Sequence, residues 1–328
     1  MKKIIASVLV AALTMAALAG CKKEPVLPES VTAAVLKGPT AIGMVNLMSR
    51  SDKGEAGLKY DFRIAGAADE ITADLIKGNI QIAAVPANLA SVLYNKTEGG
   101  IEVVAVNNLG VLYIVELSDE INSVADLKGK TIYSTGKGTT PEYTLRYLLT
   151  MAGIDPDNDV TIEFKSEASE VAALMRAAAE GENVIAMLPQ PYVTVVTTQN
   201  ANARVALDVT AEWDKLAGAD STIVTGVVVV NRKFAEDYPD AVKVFLDEFK
   251  ASAEAATSDV DGTAALVGSY DIFKEAIAKK AIPYCNIVST TGSDMKKYIE
   301  AYLKVLYEQN PASVGGKLPG DDFYYGVK

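Results

Sequence analysis

Ala68-Asp69-Glu70-Ile71-Thr72-Ala73-Asp74-Leu75 returns one hundred residues later as Ala168-Ser169-Glu170-Val171-Ala172-Ala173-Leu174. Each copy reads as an amphipathic helix, with an acid in its first turn and aliphatic residues at helical spacing. The surroundings repeat too. Upstream of the first copy, residues 31–36 read as a strand, 40–48 as a helix and 60–64 as a strand; upstream of the second, 130–133, 141–151 and 160–164 read in the same order. Downstream, the strand 80–85 and helix 88–94 answer to the strand 184–188 and helix 192–197. Prolines keep the offset, with Pro39 and Pro141 102 apart and Pro86 and Pro189 103 apart. Strands alternating with helices imply right-handed βαβ units and largely parallel sheets covered on both faces. The doubling implies an α/β protein with two similar lobes.

Residues 101–116 read as a nearly continuous strand broken at Asn107-Asn108-Leu109-Gly110, where asparagine and glycine allow the chain to bend out of the first lobe. A second extended run, 222–230, carries it back. The expected division is therefore 31–110 with 222–328 as one lobe and 111–221 as the other, joined by two crossing strands. After the return, Tyr238-Pro239-Asp240 opens a long helix to about residue 256. Asp240 or the preceding turn is its candidate cap, and Val242, Phe245, Leu246 and Phe249 are its buried stripe. The last seventy residues read mostly as helix, including 293–308, with Phe323-Tyr324-Tyr325 lying across the surface of a lobe.

The chain begins Met1-Lys2-Lys3, followed by an apolar run over 4–18 and then Leu18-Ala19-Gly20-Cys21. The run is shorter than the roughly twenty residues a membrane-spanning helix needs, so residues 1–20 read as a signal peptide. Its end resembles the lipobox of bacterial lipoproteins, which implies lipidation at Cys21. Residues 21–30 then read as a polar tether. This places the protein in the cell envelope, lipid-anchored on the outer face of a bacterial membrane.

Removing residues 1–20 takes away two lysines and no acids, leaving 29 basic and 42 acidic residues, a net charge of −13. An acidic chain gains nothing from phosphate counterion release, so nucleic acid is excluded as a partner. With Cys21 lipidated, only Cys285 remains and no intrachain disulfide forms. The chain has no histidine. That removes Ser-His-Asp triads, Cys-His pairs, histidine zinc sites and HExxH helices, and no metal or cofactor site is expected.

Ligands of parallel α/β sheets bind outside the carboxyl ends of the strands. Lys37, Gly38, Pro39 and Thr40 lie there in the first lobe. Ser134-Thr135-Gly136-Lys137-Gly138-Thr139-Thr140-Pro141 occupies the matching place in the second, its hydroxyls and helix start suited to a polar or anionic group. Pro86-Ala87-Asn88 and Pro189-Gln190-Pro191-Tyr192 are a second matched pair. Tyr113, Tyr133, Tyr143, Tyr192 and Trp213 are candidate crevice aromatics. Other motifs fail on spacing: Val124 replaces the first glycine of a P-loop ending Gly129-Lys130-Thr131, and Pro141 replaces the third glycine of a dinucleotide fingerprint. Replacing Thr139 and Thr140 by alanine is expected to weaken ligand binding with little change in stability.

The runs Leu75-Ile76-Lys77-Gly78-Asn79-Ile80-Gln81-Ile82-Ala83, Asp126-Leu127-Lys128-Gly129-Lys130-Thr131-Ile132 and Asn231-Arg232-Lys233-Phe234-Ala235-Glu236-Asp237-Tyr238-Pro239 resemble solute-binding proteins of the nitrate, sulfonate, taurine and thiamine-precursor type. These serve ABC importers and have the type II periplasmic-binding fold. The resemblance implies a monomer that captures a small-molecule solute between two lobes and delivers it to an ABC permease. By position, it implies contacts from Lys37, Gly38, Pro39 and Thr40, from Gly66, Ala67 and Ala68, from Pro86 and Asn88, from Gly138, Thr139 and Thr140, and from Gln190 and Tyr192. No arginine falls in these loops to clamp a sulfonate. An extracytoplasmic enzyme on the same architecture, or a lipoprotein sensor, remains open.

Overall fold

The computed structural model describes residues 25–179, 181–217 and 221–327; the expected signal peptide and Cys21 lie outside them. The elements run β1 (Val31–Leu36), α1 (Pro39–Ile42), α2 (Val45–Asp52), β2 (Tyr60–Ala65), α3 (Asp69–Lys77), β3 (Ile82–Pro86), α4 (Ala87–Lys96) and β4 (Ile101–Leu109). Next come β5 (Leu112–Glu116), β6 (Thr131–Ser134), α5 (Thr140–Met151), β7 (Thr161–Phe164), α6 (Ala168–Ala177), β8 (Ile185–Pro189), α7 (Tyr192–Gln199), β9 (Arg204–Asp208) and α8 (Val209–Ala217). The chain finishes with β10 (Val224–Asn231), α9 (Arg232–Asp237), α10 (Pro239–Ser258), α11 (Val260–Ser269), α12 (Glu275–Ala281), β11 (Ile287–Thr290) and α13 (Gly292–Gln309).

One sheet has the order β11-β4-β10-β3-β1-β2 and the other β7-β6-β8-β5-β9. In the first, β1 runs parallel to β2 and β3, and β10 lies antiparallel between β3 and β4. In the second, β6 runs parallel to β7 and β8, and β5 lies antiparallel between β8 and β9. The sheets thus share one topology over five strands, β11 being an addition to the first, and each receives its antiparallel inner strand by a crossing of the chain. The crossing strand β10 carries a continuous apolar run because both its faces are covered: Val227, Val228, Val229 and Val230 are wholly buried. The edge strand β2 alternates instead, with its outward residues in solvent.

The repeated helix forms for local reasons. Asp69 and Glu70 occupy the first turn of α3, Lys77 the last, and Gly78 ends it in the left-handed conformation at φ 76°. Its buried face is Ile71 and Leu75. In α10, Val242, Phe245 and Phe249 are buried, with the two phenyl rings stacked at 5.9 Å. Each such side chain contributes roughly 1.5–3 kcal/mol of apolar burial. Helix α13 buries Met295, Ile299, Tyr302, Leu303 and Leu306. It packs against β4 of the first sheet and α5 of the second lobe, so one apolar core runs through both. The C-terminal segment docks on β4, where Tyr324 bridges to Val103 and Phe323 is fully buried.

Two local expectations are corrected, and of the two candidate caps of α10 the turn is the one found. The single helix over 40–48 is two helices, α1 and α2. Ser252 inserts its hydroxyl between them, donating to Gly43 O at 2.8 Å and accepting from Leu47 N at 3.1 Å, so the helical bond between those groups is replaced. Asp240 does not cap α10; Pro239 at the first helical position lacks an N–H to satisfy, and the Asp240 carboxylate instead accepts from Val26 N at 3.2 Å. The strand β4 does not break at Asn107 but continues to Leu109, paired to β10 through register shifts.

Candidate functional site

All six parallel strands of the two sheets end facing the same gap, and the six strand-to-helix junctions line one cavity of about 180 Å³. From the first lobe, Lys37, Gly38, Pro39 and Thr40 contribute after β1, Gly66, Ala67 and Ala68 after β2, and Pro86 after β3. Gly38 adopts φ 157°, ψ −153°, a conformation open only to glycine. Thr40 closes that turn by donating from Oγ1 to Leu36 O at 2.8 Å.

From the second lobe, Thr135, Gly136, Thr139, Thr140 and Pro141 contribute after β6, Ser166, Glu167 and Ala168 after β7, and Pro189 and Tyr192 after β8. The crossing strands complete the wall through Asn108, Val111, Leu112 and Thr225. At the mouth the two lobes approach closely. A Cβ on Gly66 would stand 2.8 Å from Glu167 Oε1, so glycine is what lets this carboxylate come so near.

Asn88, Gly138 and Gln190 stand outside the wall. Asn88 is wholly buried, donating from Nδ2 to Gly138 O at 3.2 Å and Ser313 O at 3.0 Å while accepting from Thr140 Oγ1 at 3.3 Å. Gly138 donates its N–H to Glu142 at 2.7 Å. Gln190 turns its Oε1 onto the start of α7, accepting from Thr194 Oγ1 at 2.8 Å. Of the candidate aromatics only Tyr192 reaches the cavity. Its ring meets Phe273 edge-on at 4.9 Å, and burial together with the nearby Glu167 carboxylate pushes its phenol up to about 12, so it stays protonated as a donor. Trp213 is instead a core residue, fully buried between Tyr147 and Tyr302.

The protein itself fills part of the anion seat expected at the start of α5. Glu142 places its carboxylate there, bonded to Gly138 N and paired with Arg146 at 2.9 Å, and Thr139 Oγ1 donates to Gly136 O at 2.7 Å. The charged side chains on the wall are Lys37 and Glu167, of opposite sign. Sequence reasoning missed Ser166, Glu167 and Ala168, although they stand one hundred residues after Gly66, Ala67 and Ala68, the offset of the opening repeat. Among the described residues, no group of acids and cysteine is arranged to hold a metal ion, and no helix is long and apolar enough to cross a membrane.

Two lobes of shared topology around a cavity at the strands' carboxyl ends define a periplasmic-binding-protein fold of type II. Residues 51–268 match the family described as ABC transporter, phosphonate, periplasmic substrate-binding protein, and the chain belongs to that family. It is the substrate-binding component of an ABC importer. Members deliver small-molecule solutes to ABC permeases. The fold is shared with an ABC transporter protein from Parabacteroides distasonis (TM-score 0.72, 22% identity, covering 90% of this chain and 99% of that one). It is shared too with the alkanesulfonate-binding protein SsuA from Xanthomonas axonopodis pv. citri bound to MOPS (TM-score 0.68, 15% identity, covering 90% and 96%). A third is the nitrate-binding protein NrtA from Synechocystis PCC 6803 (TM-score 0.58, 13% identity, covering 73% and 66%). No curated protein matches the sequence.

Proposed function

We propose that the mature protein is a monomeric lipoprotein, anchored through Cys21, that closes two lobes on one small solute and hands it to its permease without chemical change. The lobes are 31–110 with 222–328, and 111–221. The observation that carries this reading is the convergence of six strand-to-helix junctions, three from each sheet, on one cavity. Such a cavity is dismantled when the lobes separate, so a bound solute favours the closed population by its own binding free energy.

Contacts come from Lys37, Gly38, Pro39, Thr40, Gly66, Ala67, Ala68, Pro86, Thr139, Thr140 and Tyr192. Asn88, Gly138 and Gln190 support them from behind. A catalytic role is disfavoured by the wall itself, which joins a single carboxylate, Glu167, to no histidine.

Two measurements test the proposal. Mass spectrometry of the protein purified under native conditions finds one small molecule per chain, unaltered in mass after prolonged incubation. Cys21→Ser moves the protein from the membrane fraction to the soluble one. Turnover of the bound molecule, or membrane association that survives the substitution, contradicts the respective part.

A further inference from the structure

The two faces of the sheets are joined across the lobes in different ways. Alternate residues of β10 divide between them, Val227 and Val229 on one face and Val228 and Val230 on the other. On the first face the lobes share a core, in which Leu145 and Trp213 of the second lobe pack in one apolar cluster with Tyr302 and Leu306 of the first. On the other face each lobe keeps a core of its own, around Phe245 and Phe249 in the first and around Val171 and Leu188 in the second. Among the described residues, one apolar side chain packs against both of these private cores, and it is Phe273.

The chain delivers Phe273 to that place by a tight reversal after α11. Asp271 takes the left-handed conformation at φ 51°, with its N–H donating to Gly268 O at 3.1 Å and the next N–H, of Ile272, to Val267 O at 3.1 Å. Ile272 is thereby buried in the first lobe's core, and Phe273 reaches across to the second. Its ring meets Tyr192 edge-on, the centroids 4.9 Å apart and the planes at 75°. Tyr192 opens α7, is 8% exposed and lines the cavity, whereas Phe273 does not line it. From this contact α12 leads back to the crossing strand, where Asn108 donates to Cys285 O at 3.0 Å and Leu109 N to Asn286 O at 3.1 Å. One end of the segment is pinned at the crossing, and the other carries Phe273 beyond a seven-residue helix about 10 Å long.

Resting on closure of the lobes around a solute, we propose that Phe273 is a positioning residue of the solute site, a clasp that seats behind Tyr192 when the lobes shut. Each private core is complete within its own lobe, so the contact that parting the lobes breaks on this face is that of Phe273. Tyr192 then loses the ring that backs it, and the cavity wall is fully formed in the closed state alone. An edge-on aromatic pair contributes more than its buried area, so this one side chain biases the equilibrium between open and closed forms.

The test needs no solute. In the Cys21→Ser form of the full chain, spin labels at Asp61→Cys and Thr161→Cys, exposed positions on the edge strands β2 and β7, report the distance between the lobes, while Cys285 is buried from the label. Phe273→Ala is expected to lower the ratio of closed to open distances about tenfold. Phe273→Leu, which keeps an apolar side chain there, restores part of that loss. Tyr192→Ala lowers the ratio similarly, and the double variant goes little further, because both substitutions remove one contact. A Phe273 that merely braces the fold would lower the urea midpoint of Phe273→Ala and leave the distances as they were; that result overturns the proposal, as do additive effects of the two alanines. Gly66→Phe, which fills the mouth, separates this from the wider reading. If it lengthens the distance and Phe273→Ala does not, the clasp is overturned and closure stands; if one fixed distance survives every substitution, closure falls with it.

Discussion

Thr140 Oγ1 donates to Asn88 Oδ1 at 3.3 Å, joining the helix that follows β3 in one sheet to the helix that follows β6 in the other. Neither residue has any exposed surface. The same Asn88 amide also holds Gly138 O and Ser313 O, so one side chain ties both lobes and the C-terminal segment together behind the cavity. Asn88→Leu leaves two carbonyls and a hydroxyl unpaired in the interior, at a cost on the order of 2–4 kcal/mol. Urea denaturation should show that loss as a lower midpoint, and a change under about 0.5 kcal/mol would remove the latch from the account.

The paired substitution of Thr139 and Thr140 by alanine changes meaning once their partners are known. From sequence, weaker binding at constant stability is expected. Each hydroxyl has a protein acceptor, however, Gly136 O for one and Asn88 for the other. The expected outcome becomes a loss of about 2 kcal/mol, close to one per hydrogen bond. Unchanged melting with lost affinity would return both hydroxyls to the solute.

The two parallel halves are legible because their cause is local. Hydrophobic period and first-turn acids lie within the nine residues of α3, with a glycine directly after them, and the period and the first-turn acid recur in α6. What escapes notice depends on partners far along the chain. The split between α1 and α2 is made by Ser252, more than two hundred residues away. The edge strand β9 is five residues with charges at both ends, and it pairs with β5 while Arg204 bridges to Glu116 at 2.5 Å. In the site, loops are found by position, whereas Thr225 is delivered by a register shift that only strand pairing creates. Trp213 looks like a crevice aromatic because its type is right, but it packs under Tyr302, which enters from the other end of the sequence.

Gly66→Phe is expected to spare the fold and remove closure. Gly66 is exposed, with no positive φ to strain a larger residue, and what it crowds are the carboxylate ends of Glu167 and Glu70. Stability should change by less than about 1 kcal/mol. Small-angle scattering should then give a radius of gyration that no solute reduces. A compaction equal to the wild type's would show that the mouth is elsewhere.

Stability should be flat from about pH 6.5 to 8 and fall in acid, since the chain has no histidine to titrate between. Asp126 is held below the usual carboxylate range first by the Asn122 N–H, Asp155 by the Asn158 side-chain amide, and Asp159 by the Asp155 N–H. A depressed value means the folded chain binds fewer protons than the unfolded one just below the ordinary carboxylate value of about 3.9. Their contribution is therefore complete above that pH and is lost as pH drops through the depressed values. Thermal melts across this range check it, and a fall between pH 7 and 6 would contradict it.

Native mass spectrometry of the protein taken from its own cell envelope, beside Gly66→Phe prepared identically, tests most directly whether a solute is held where the lobes meet. A single small-molecule adduct at one per chain on the wild type, absent from the variant, is the predicted result. An adduct of equal occupancy on both proteins, or none on either, would contradict it.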